Sequence, residues 1–326
     1  MSLTAGIVGL PNVGKSTLFN AITNQKILAA NYPFATIEPN VGVVTVPDKR
    51  MDKLKEMYNP KSFVPTAYEF TDIAGLVKGA STGEGLGNKF LSHIRETDAI
   101  VEVVRCFENS NIIHVDGVIN PTNDIEIIEL ELIYADLETV SKRRERLKKQ
   151  LKADKSLIKE DLVLEKIEKA LNEGKSARSL ELTEEEKDII KSLSLLTLKP
   201  LMYVANVDEE TIQDIEKNEN FKKVKQYAES QNAKVIPICV KLEEEISSIE
   251  SEDERKEFLE MMGLDKSGLD KLIIASYDIL GLMSYLTVRR NRSKSMDYKK
   301  RDKSTKSGIK DTFRYRMRVY KSRNRI

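Results

Sequence analysis

The sequence has few of the features that mark secreted or membrane proteins. Only two cysteines occur among its 326 residues, and Cys106 and Cys239 each end an apolar, strand-like run, where a buried reduced thiol is expected. No apolar run approaches the roughly 18 residues that a membrane-spanning helix needs. The N-terminus lacks a basic segment followed by an apolar one, as a secretory leader would have. We therefore expect a soluble, cytoplasmic protein.

The small net charge of +1 hides a division between the body of the chain and its end. Residues 288–326 contain 16 lysines and arginines against three aspartates, a net charge of +13, whereas the other 287 residues carry a net charge of −12. A segment this charged and this poor in core residues is expected to be disordered. An evolved RNA-binding tail would share this expectation of disorder, and arginines and tyrosines that interleave between Phe313 and Arg325 could contact phosphates and bases.

A glycine-rich turn in residues 9–17 lies between an apolar strand and an amphipathic helix. The sequence Gly-Leu-Pro-Asn-Val-Gly-Lys-Ser-Thr follows apolar residues 5–8 and precedes the helical pattern of residues 18–22. This arrangement is typical of a phosphate-binding P-loop rather than of an ordinary glycine turn. We predict that six consecutive residues contact the nucleotide: Asn12, Val13, Gly14, Lys15, Ser16 and Thr17. Lys15 would bind the β- and γ-phosphates, and the Ser16 hydroxyl would bind Mg²⁺.

Two later segments match the remaining Mg²⁺ ligands of a P-loop nucleotidase. Thr36 lies in the proline-bearing loop of residues 31–39, where such proteins place the threonine that completes the metal shell. Asp72 ends a strand and begins the sequence Asp-Ile-Ala-Gly, so its carboxylate could hold Mg²⁺ through water, and the N–H of Gly75 could meet the γ-phosphate. Loop threonines and D-x-x-G sequences are common, but their order after the P-loop favours a metal site of Ser16, Thr36 and Asp72.

The glutamine that orients the attacking water in many GTPases is replaced by Leu76. Leucine offers no hydrogen bond, so hydrolysis must recruit another group or be slow. Five glycines occur in residues 75–88, and a segment with this much backbone freedom suits a switch that the γ-phosphate orders. An inert flexible loop is the alternative.

The segment that recognises guanine in GTPases departs here from their N-K-x-D sequence. It reads N-V-D-E at residues 206–209, so the aspartate that accepts two N–H bonds from guanine is replaced by the longer Glu209. The amide of Asn206 can still pair with the edge of adenine. We therefore expect ATP, and we expect five residues to contact its base: Asn206, Val207, Glu209, Cys239 and Val240.

The remaining pattern predicts an α/β P-loop nucleotidase with a mostly parallel sheet. Buried strand patterns recur near residues 99–104, 200–205 and 234–239, and helical sequence then continues to Tyr285. Between Asp124 and Leu198, apolar residues recur at helical spacing among dense charges, which predicts an antiparallel coiled-coil arm. We expect a nucleotide-binding domain in residues 1–123 and 199–287, a helical insertion at 124–198 and a basic tail at 288–326.

A basic cluster lies on the expected arm. Residues 142–149 contain six lysines and arginines, which could contact the phosphates of an RNA partner. A solvated helix face is the simpler alternative.

These motifs together resemble the YchF subfamily of Obg-related P-loop nucleotidases, the Obg-like ATPases. The resemblance reaches from residue 1 to about 287 and is carried by residues 9–20, 31–40, 72–80, 83–88, 103–107, 206–209 and 276–277. It implies a nucleotide domain interrupted by a coiled-coil arm, a preference for ATP over GTP, and association with ribosomes. We expect a monomer, although no pattern in the sequence bears on the oligomeric state.

The resemblance also implies roles for two residues. In this subfamily a mobile-loop histidine, here His114, is proposed to do the work of the missing glutamine, and a neutral imidazole can orient water. A surface loop histidine is the alternative. Asn12 is similar to the P-loop asparagine that lets some relatives use K⁺.

The resemblance ends at the C-terminus. Members of the subfamily continue with a β-rich TGS domain, whereas this chain continues after Thr287 with the basic tail. When the typical opening of a TGS domain is back-translated and its codons are read one base early, the result can be the sequence of residues 293–306. The same shift of frame can give residues 318–323. We hypothesise that a frameshift near Val288 has replaced the TGS domain.

The sequence therefore predicts an Mg²⁺-dependent ATPase that associates with ribosomes as a translation-linked switch. The nucleotide would order residues 75–88 and so change the fit of the arm to a ribosomal partner. Two alternatives stay open: a GTP-dependent switch, and a nucleotide-sensitive ribosome-binding module without turnover.

Overall fold

The computed structural model describes residues 3–24, 40–73, 86–109, 111–112, 119–151, 154–249, 251–289 and 292–299. The strands are β1 (Thr4–Val8), β2 (Val41–Thr45), β3 (Phe63–Val64), β4 (Ala67–Asp72), β5 (Ala99–Arg105), β6 (Leu201–Asn206), β7 (Lys234–Ile238), β8 (Leu282–Arg289) and β9 (Arg292–Lys299). The helices are α1 (Lys15–Asn24), α2 (Lys49–Tyr58), α3 (Leu86–Glu96), α4 (Pro121–Gln150), α5 (Ile158–Asn172), α6 (Glu184–Ile190), α7 (Glu219–Ser230), α8 (Val240–Ser248), α9 (Glu252–Met261) and α10 (Gly268–Ile279). Within the described part of the chain, none of the helices combines the length and the apolar composition that crossing a bilayer requires.

Six strands form a mostly parallel sheet in the order β2, β4, β1, β5, β6, β7. β2 runs antiparallel to β4, and the other neighbouring pairs are parallel. β5 and β6 are buried along their whole length, as expected for parallel strands that helices cover on both faces. The predicted α/β fold is therefore confirmed. The carboxyl ends of β1, β4, β5 and β6 meet at one edge, which is where open α/β sheets bind ligands.

Helical structure ends earlier than the sequence indicated. α10 stops at Ile279 and β8 begins at Leu282, so the prediction of helix as far as Tyr285 is wrong for its last four residues. Gly281 adopts a φ of 66°, a left-handed conformation that glycine reaches without strain and that commonly ends a helix.

Part of the basic tail is a strand, contrary to expectation. β9 pairs antiparallel with β8 and parallel with β3 in a second, three-stranded sheet. Ser295 on β9 is buried, and its hydroxyl lies 2.8 Å from the hydroxyl of Thr66. The backbone of β9 pairs with β8 along its whole length and with β3 at Ser293 and Lys294, which a charged composition does not reveal. The prediction of disorder is therefore wrong for residues 292–299, and residues 300–326 lie outside the described residues.

Helix α4 belongs to two hydrophobic cores. Its first half contributes side chains from Ile125 to Ala135 to the core around the six-stranded sheet. Its second half contributes Val140 and Leu147 to a separate core with α5. The predicted boundary at residue 124 therefore differs from the structure, because the first turns of α4 pack as part of the nucleotide domain.

The second half of α4 and α5 pack antiparallel, as predicted. Ser141 lies opposite Glu168 and Arg143 lies opposite Glu160, so residue numbers rise along one helix as they fall along the other. Arg143 donates to both carboxylate oxygens of Glu160, at 2.6 and 2.9 Å. Arg144 forms ion pairs with three acidic side chains of α5. Two arginines of the basic cluster are thus bound within the arm.

Buried polar contacts fix the root of the arm. The carboxylate of Asp136 on α4 accepts hydrogen bonds from the N–H of Leu196 (2.9 Å), the N–H of Thr197 (2.8 Å) and the Thr197 hydroxyl (2.6 Å). Burial raises the pKa of Asp136, although these hydrogen bonds favour its ionised form. Nearby, Arg178 donates to both carboxylate oxygens of Glu129, at 2.8 and 2.7 Å. The chain therefore returns from the arm to β6 at a fixed position.

Candidate nucleotide-binding site

The turn between β1 and α1 combines two positive φ angles with an immediate helix start. Asn12 and Gly14 have φ values of 64° and 97°, and α1 begins at Lys15. The first N–H groups of a helix have no partner within the helix, so this N-terminus attracts anions. Val13 packs in the core, whereas Ser16 is exposed. The predicted P-loop is therefore anchored on one side and open on the other.

Lys15 forms an ion pair with Asp72 at the carboxyl edge of the sheet. β1 and β4 are neighbours, and Ile7 lies opposite Asp72 in their register, which brings the end of β4 beside the P-loop. Lys15 is only 8% exposed, and an ammonium group this buried needs an opposite charge. The ion pair thus brings the predicted phosphate ligand and a predicted Mg²⁺ ligand together.

Two of the three predicted Mg²⁺ ligands lie in the described residues. Ser16 adjoins Lys15 in the chain, and Asp72 is bonded to Lys15. A hydroxyl and a carboxylate suit Mg²⁺, which at nucleotide sites takes one or two protein oxygens and completes its shell with phosphate and water. Across the described ranges, no group of three His, Cys, Asp or Glu side chains is arranged to hold a metal without such help. Thr36 and Gly75 lie outside the described residues.

The Asn206 side chain joins two loops. Its Nδ2 donates to the Val13 carbonyl at 2.9 Å, and its Oδ1 accepts from the Val240 N–H at 3.2 Å. The sequence predicted that this amide binds adenine. In the structure its hydrogen bonds connect the P-loop to the start of α8. An amide has two N–H donors and two acceptor lone pairs, so one of each remains for a base.

The other predicted base-contacting residues lie at the ends of β6 and β7: Val207, Glu209, Cys239 and Val240. Val207 is buried and its N–H donates to the Ile238 carbonyl at 2.9 Å. Glu209 is exposed, and its carboxylate lies 4.0 Å from the ammonium group of Lys241. These contacts bring the two predicted base-binding segments side by side.

A cavity of 1450 Å³ connects the P-loop with the base-binding segments. It is lined by Asn12 and Gly14, by residues 206–211 and by residues 239–241. This volume exceeds the about 300–1000 Å³ of a typical ligand pocket. Another wall, formed by residues 106–109 and Ile112, was not predicted from the sequence. The signal that could have indicated it is Arg105, a charged residue at the end of an apolar strand.

The predicted catalytic residue His114 lies outside the described residues. Ile112 is the last described residue before it and lines the cavity. The chain therefore reaches the cavity wall two residues before His114.

Comparison with known proteins identifies the family of this chain. A family model described as 50S ribosome-binding GTPase matches residues 4–207. The Ribosome-binding ATPase YchF of Bacillus subtilis is 56% identical over 301 residues, which cover 92% of this chain and 82% of that protein. The chain belongs to the YchF family. The YchF protein of Escherichia coli O157:H7, with the same name, is 51% identical over 288 residues, which cover 88% of this chain and 78% of that protein.

A solved YchF structure has the same fold. The Schizosaccharomyces pombe YchF GTPase superposes with a TM-score of 0.80 at 42% identity, over 92% of this chain and 81% of that one. The predicted resemblance to the YchF subfamily is confirmed. The names of these YchF relatives differ in the nucleotide, since the bacterial proteins are named ATPases and the fission-yeast protein a GTPase.

Proposed function

We propose that this YchF-family protein binds ATP with Mg²⁺, hydrolyses it slowly, and associates with ribosomes in the cytoplasm as a translation-linked switch. The observation that carries the proposal is the arrangement at the carboxyl edge of the sheet. There the open N-terminus of α1, the Lys15–Asp72 ion pair and the cavity beside Asn206 adjoin one another. The bacterial relatives named ribosome-binding ATPases support it.

When nucleotide binds, the ammonium group of Lys15 would exchange one anionic partner for another. Lys15 is paired with Asp72, and nucleotide phosphates would replace that carboxylate on the ammonium group. Asp72 would then be free to hold Mg²⁺ through water, together with the hydroxyls of Ser16 and Thr36. Bound Mg²⁺ neutralises charge on the phosphate oxygens.

The base end of the site favours adenine. The remaining N–H of Asn206 can donate to N7 of adenine, and its remaining lone pair can accept from the exocyclic amine. Glu209 stands where GTPases carry the shorter aspartate, and its carboxylate is directed to Lys241 at 4.0 Å. A carboxylate one methylene longer would not occupy the place from which an aspartate accepts the two N–H bonds of guanine.

Water activation would fall to His114, because Leu76 offers no hydrogen bond. His114→Ala should slow phosphate release while leaving the dissociation constant for ATP unchanged. An unaltered rate would refute this role. Asn12, exposed in the P-loop, is the residue through which K⁺ would act, and rates in KCl and NaCl test that dependence.

Contact with ribosomal RNA would use the exposed cations of the arm. Arg143 and Arg144 are bound to carboxylates within the arm. The other four cations of the cluster are exposed: Lys142, Arg146, Lys148 and Lys149. Exposed cations of this kind replace counterions on a nucleic-acid backbone.

Calorimetric titration with ATP and with GTP, followed by phosphate-release assays with and without ribosomes, tests the proposal. We expect ATP to bind more tightly than GTP and Lys15→Met to abolish turnover. Tighter binding of GTP would favour the alternative of a GTP-dependent switch. Ribosome binding that responds to nucleotide without any turnover would favour a non-catalytic module.

The proposed replacement of the TGS domain is tested at the level of the gene. Translation of the nucleotides beneath residues 288–326 in the other frames should reveal a TGS-like sequence. Its absence would leave the basic segment as an evolved tail.

A further inference from the structure

Arg105 is a buried cation at the carboxyl end of β5. Its side chain is among the largest fully buried ones, and the residue is 1% exposed. No carboxylate in the described ranges lies close enough to form a salt bridge with it. Burial lowers the pKa of Arg105, and the charges of Asp124 and Asp208 oppose that shift. Arginine nevertheless stays charged in proteins, so this buried charge needs another kind of partner.

The partners of Arg105 are backbone carbonyls of the loop that follows it. The guanidinium donates to the carbonyls of Ile112 (3.0 Å), Asn109 (3.1 Å) and Phe107 (3.4 Å). It also lies over the Phe107 ring, 4.5 Å from the ring centroid. The planar guanidinium of an arginine presents five N–H donors spread over three nitrogens, whereas the three donors of a lysine all leave one nitrogen.

The loop that Arg105 holds is one wall of the cavity. Phe107, Asn109 and Ile112 line it, together with the P-loop residues Asn12 and Gly14. A second contact joins this wall to that segment, because the Glu108 N–H donates to the carboxylate of Asp208 at 3.4 Å. Two sets of contacts therefore fix the position of this wall: the hydrogen bonds from the buried Arg105 side chain and the bond to Asp208 of the predicted base-binding segment.

We propose that Arg105 is a positioning residue that holds residues 107–109, 111 and 112 in place as the base-side wall of the nucleotide site. This inference rests on the proposed function, because it takes the cavity as the nucleotide site. Arg105 does not touch the nucleotide; it acts through the three carbonyls. The same loop leads into the segment that contains His114.

Arg105→Lys tests this inference, with Arg178→Lys as the matched control. Arg178 is another largely buried arginine, but it binds Glu129 and the Lys199 carbonyl at the arm root, outside the cavity. The arginine-to-lysine change at position 105 should raise the dissociation constant for ATP about tenfold or more, since small misplacements of a binding wall are costly. Inorganic triphosphate, which has no base, should bind both variants as it binds the unmodified protein.

Hydrogen exchange provides a readout that needs no nucleotide. Amides of residues 107–109, 111 and 112 should lose protection in Arg105→Lys and keep it in Arg178→Lys. Unchanged protection together with unchanged ATP affinity in Arg105→Lys would overturn the inference. If the unmodified protein binds no ATP, the proposed function fails, while the exchange data still decide whether Arg105 holds the loop.

Arg105→Gln covers the case in which the lysine variant does not fold. Glutamine is uncharged and keeps two N–H donors, so it removes most of the contacts without burying a new charge. The same loss of protection and of ATP affinity is expected. If both variants unfold, Arg105 serves the whole domain rather than this loop, and the inference is wrong.

Discussion

A methyl group added at Gly14 would lie 2.3 Å from Nδ2 of Asn206. That nitrogen donates to the Val13 carbonyl, and the same amide accepts from the Val240 N–H. The absence of a side chain at position 14 is therefore what allows Asn206 to join the P-loop to the base-binding segments. The P-loop and the predicted base-binding segments are thus joined through this one amide.

Gly14→Ala should abolish or strongly reduce ATP binding, by at least about tenfold, because the new methyl group displaces Asn206 and strains a backbone at φ 97°. Gly174→Ala is the matched control. Gly174 also has a positive φ, 72°, but nothing lies within 4 Å of an added Cβ. Calorimetric titration of both variants shows whether the loss of ATP affinity is specific to the position beside Asn206. Equal losses of affinity would show that the contact with Asn206 is unimportant.

Asp72→Asn should destabilise the nucleotide-free protein more than the double variant Lys15→Met, Asp72→Asn does. The single change leaves the largely buried ammonium group of Lys15 without its carboxylate, which costs roughly 2–4 kcal/mol. The double change removes both charges. Urea unfolding of both variants and of Lys15→Met completes the cycle. Strictly additive free energies would mean that the ion pair contributes no coupling.

Glu102→Gln should stabilise the protein at pH 8 by about 1–3 kcal/mol. Glu102 on β5 is buried, and its Oε1 has no hydrogen-bond partner among the described residues. Burial raises its pKa well above 4.5, with smaller contributions from the negative charges of Glu129 and Asp124 and an opposing one from Arg178. Because the pKa of Glu102 is higher in the folded state, its contribution to the free energy of unfolding is fully present below pH 4.5. This contribution is lost as the pH rises through the pKa of the folded state.

The free energy of unfolding of the unmodified protein should therefore fall between pH 5 and pH 8 relative to that of Glu102→Gln. Glu243→Gln is the contrasting control, since burial also raises the pKa of Glu243, but its carboxylate accepts from the N–H groups of Gly268 and Leu269, at 2.6 and 3.2 Å. An amide cannot accept both bonds equally well, so this second change should destabilise. A destabilised Glu102→Gln at pH 8 would contradict the prediction.

Replacing Lys148 and Lys149 with glutamine should weaken binding to ribosomes and reduce its salt dependence. If each lysine neutralises one phosphate, the slope of log K against log salt should fall by up to about 1.8. The control is the same double change at Lys222 and Lys225, which are partly exposed on α7 and paired with Glu219 and Glu216. The measurement is ribosome binding by both double variants at several salt concentrations. Equal effects of the two double variants would exclude a specific contact by the arm.

The local structure of the P-loop and the end of β4 could be predicted because their signals are local. The P-loop is a continuous stretch in which glycine spacing, a lysine and the flanking strand and helix agree, and the structure has β1 and α1 on either side of it. The strand pattern predicted that a strand ends at Asp72, and β4 ends there. In both cases the residue type and its neighbours in sequence carry the information.

The contacts that sequence analysis missed are long-range or involve the backbone. Asn206 bonds Val13 across 193 positions of the chain, and no periodicity records such a pairing. Arg105 binds carbonyls, which every residue has, so its partners leave no mark in the sequence. The strand β9 depends on pairing with β3 and β8, which overrides a composition that favours disorder.

Because α4 is one unbroken helix shared by two cores, it can work as a mechanical lever. Its 30 residues span about 45 Å at 1.5 Å per residue. The 15 residues beyond Ala135 extend about 22 Å from the sheet core, so a tilt of about 10° at the base would move the tip by about 4 Å. A small tilt of α4 near the predicted nucleotide site would therefore displace the tip of the arm by about the length of a side chain.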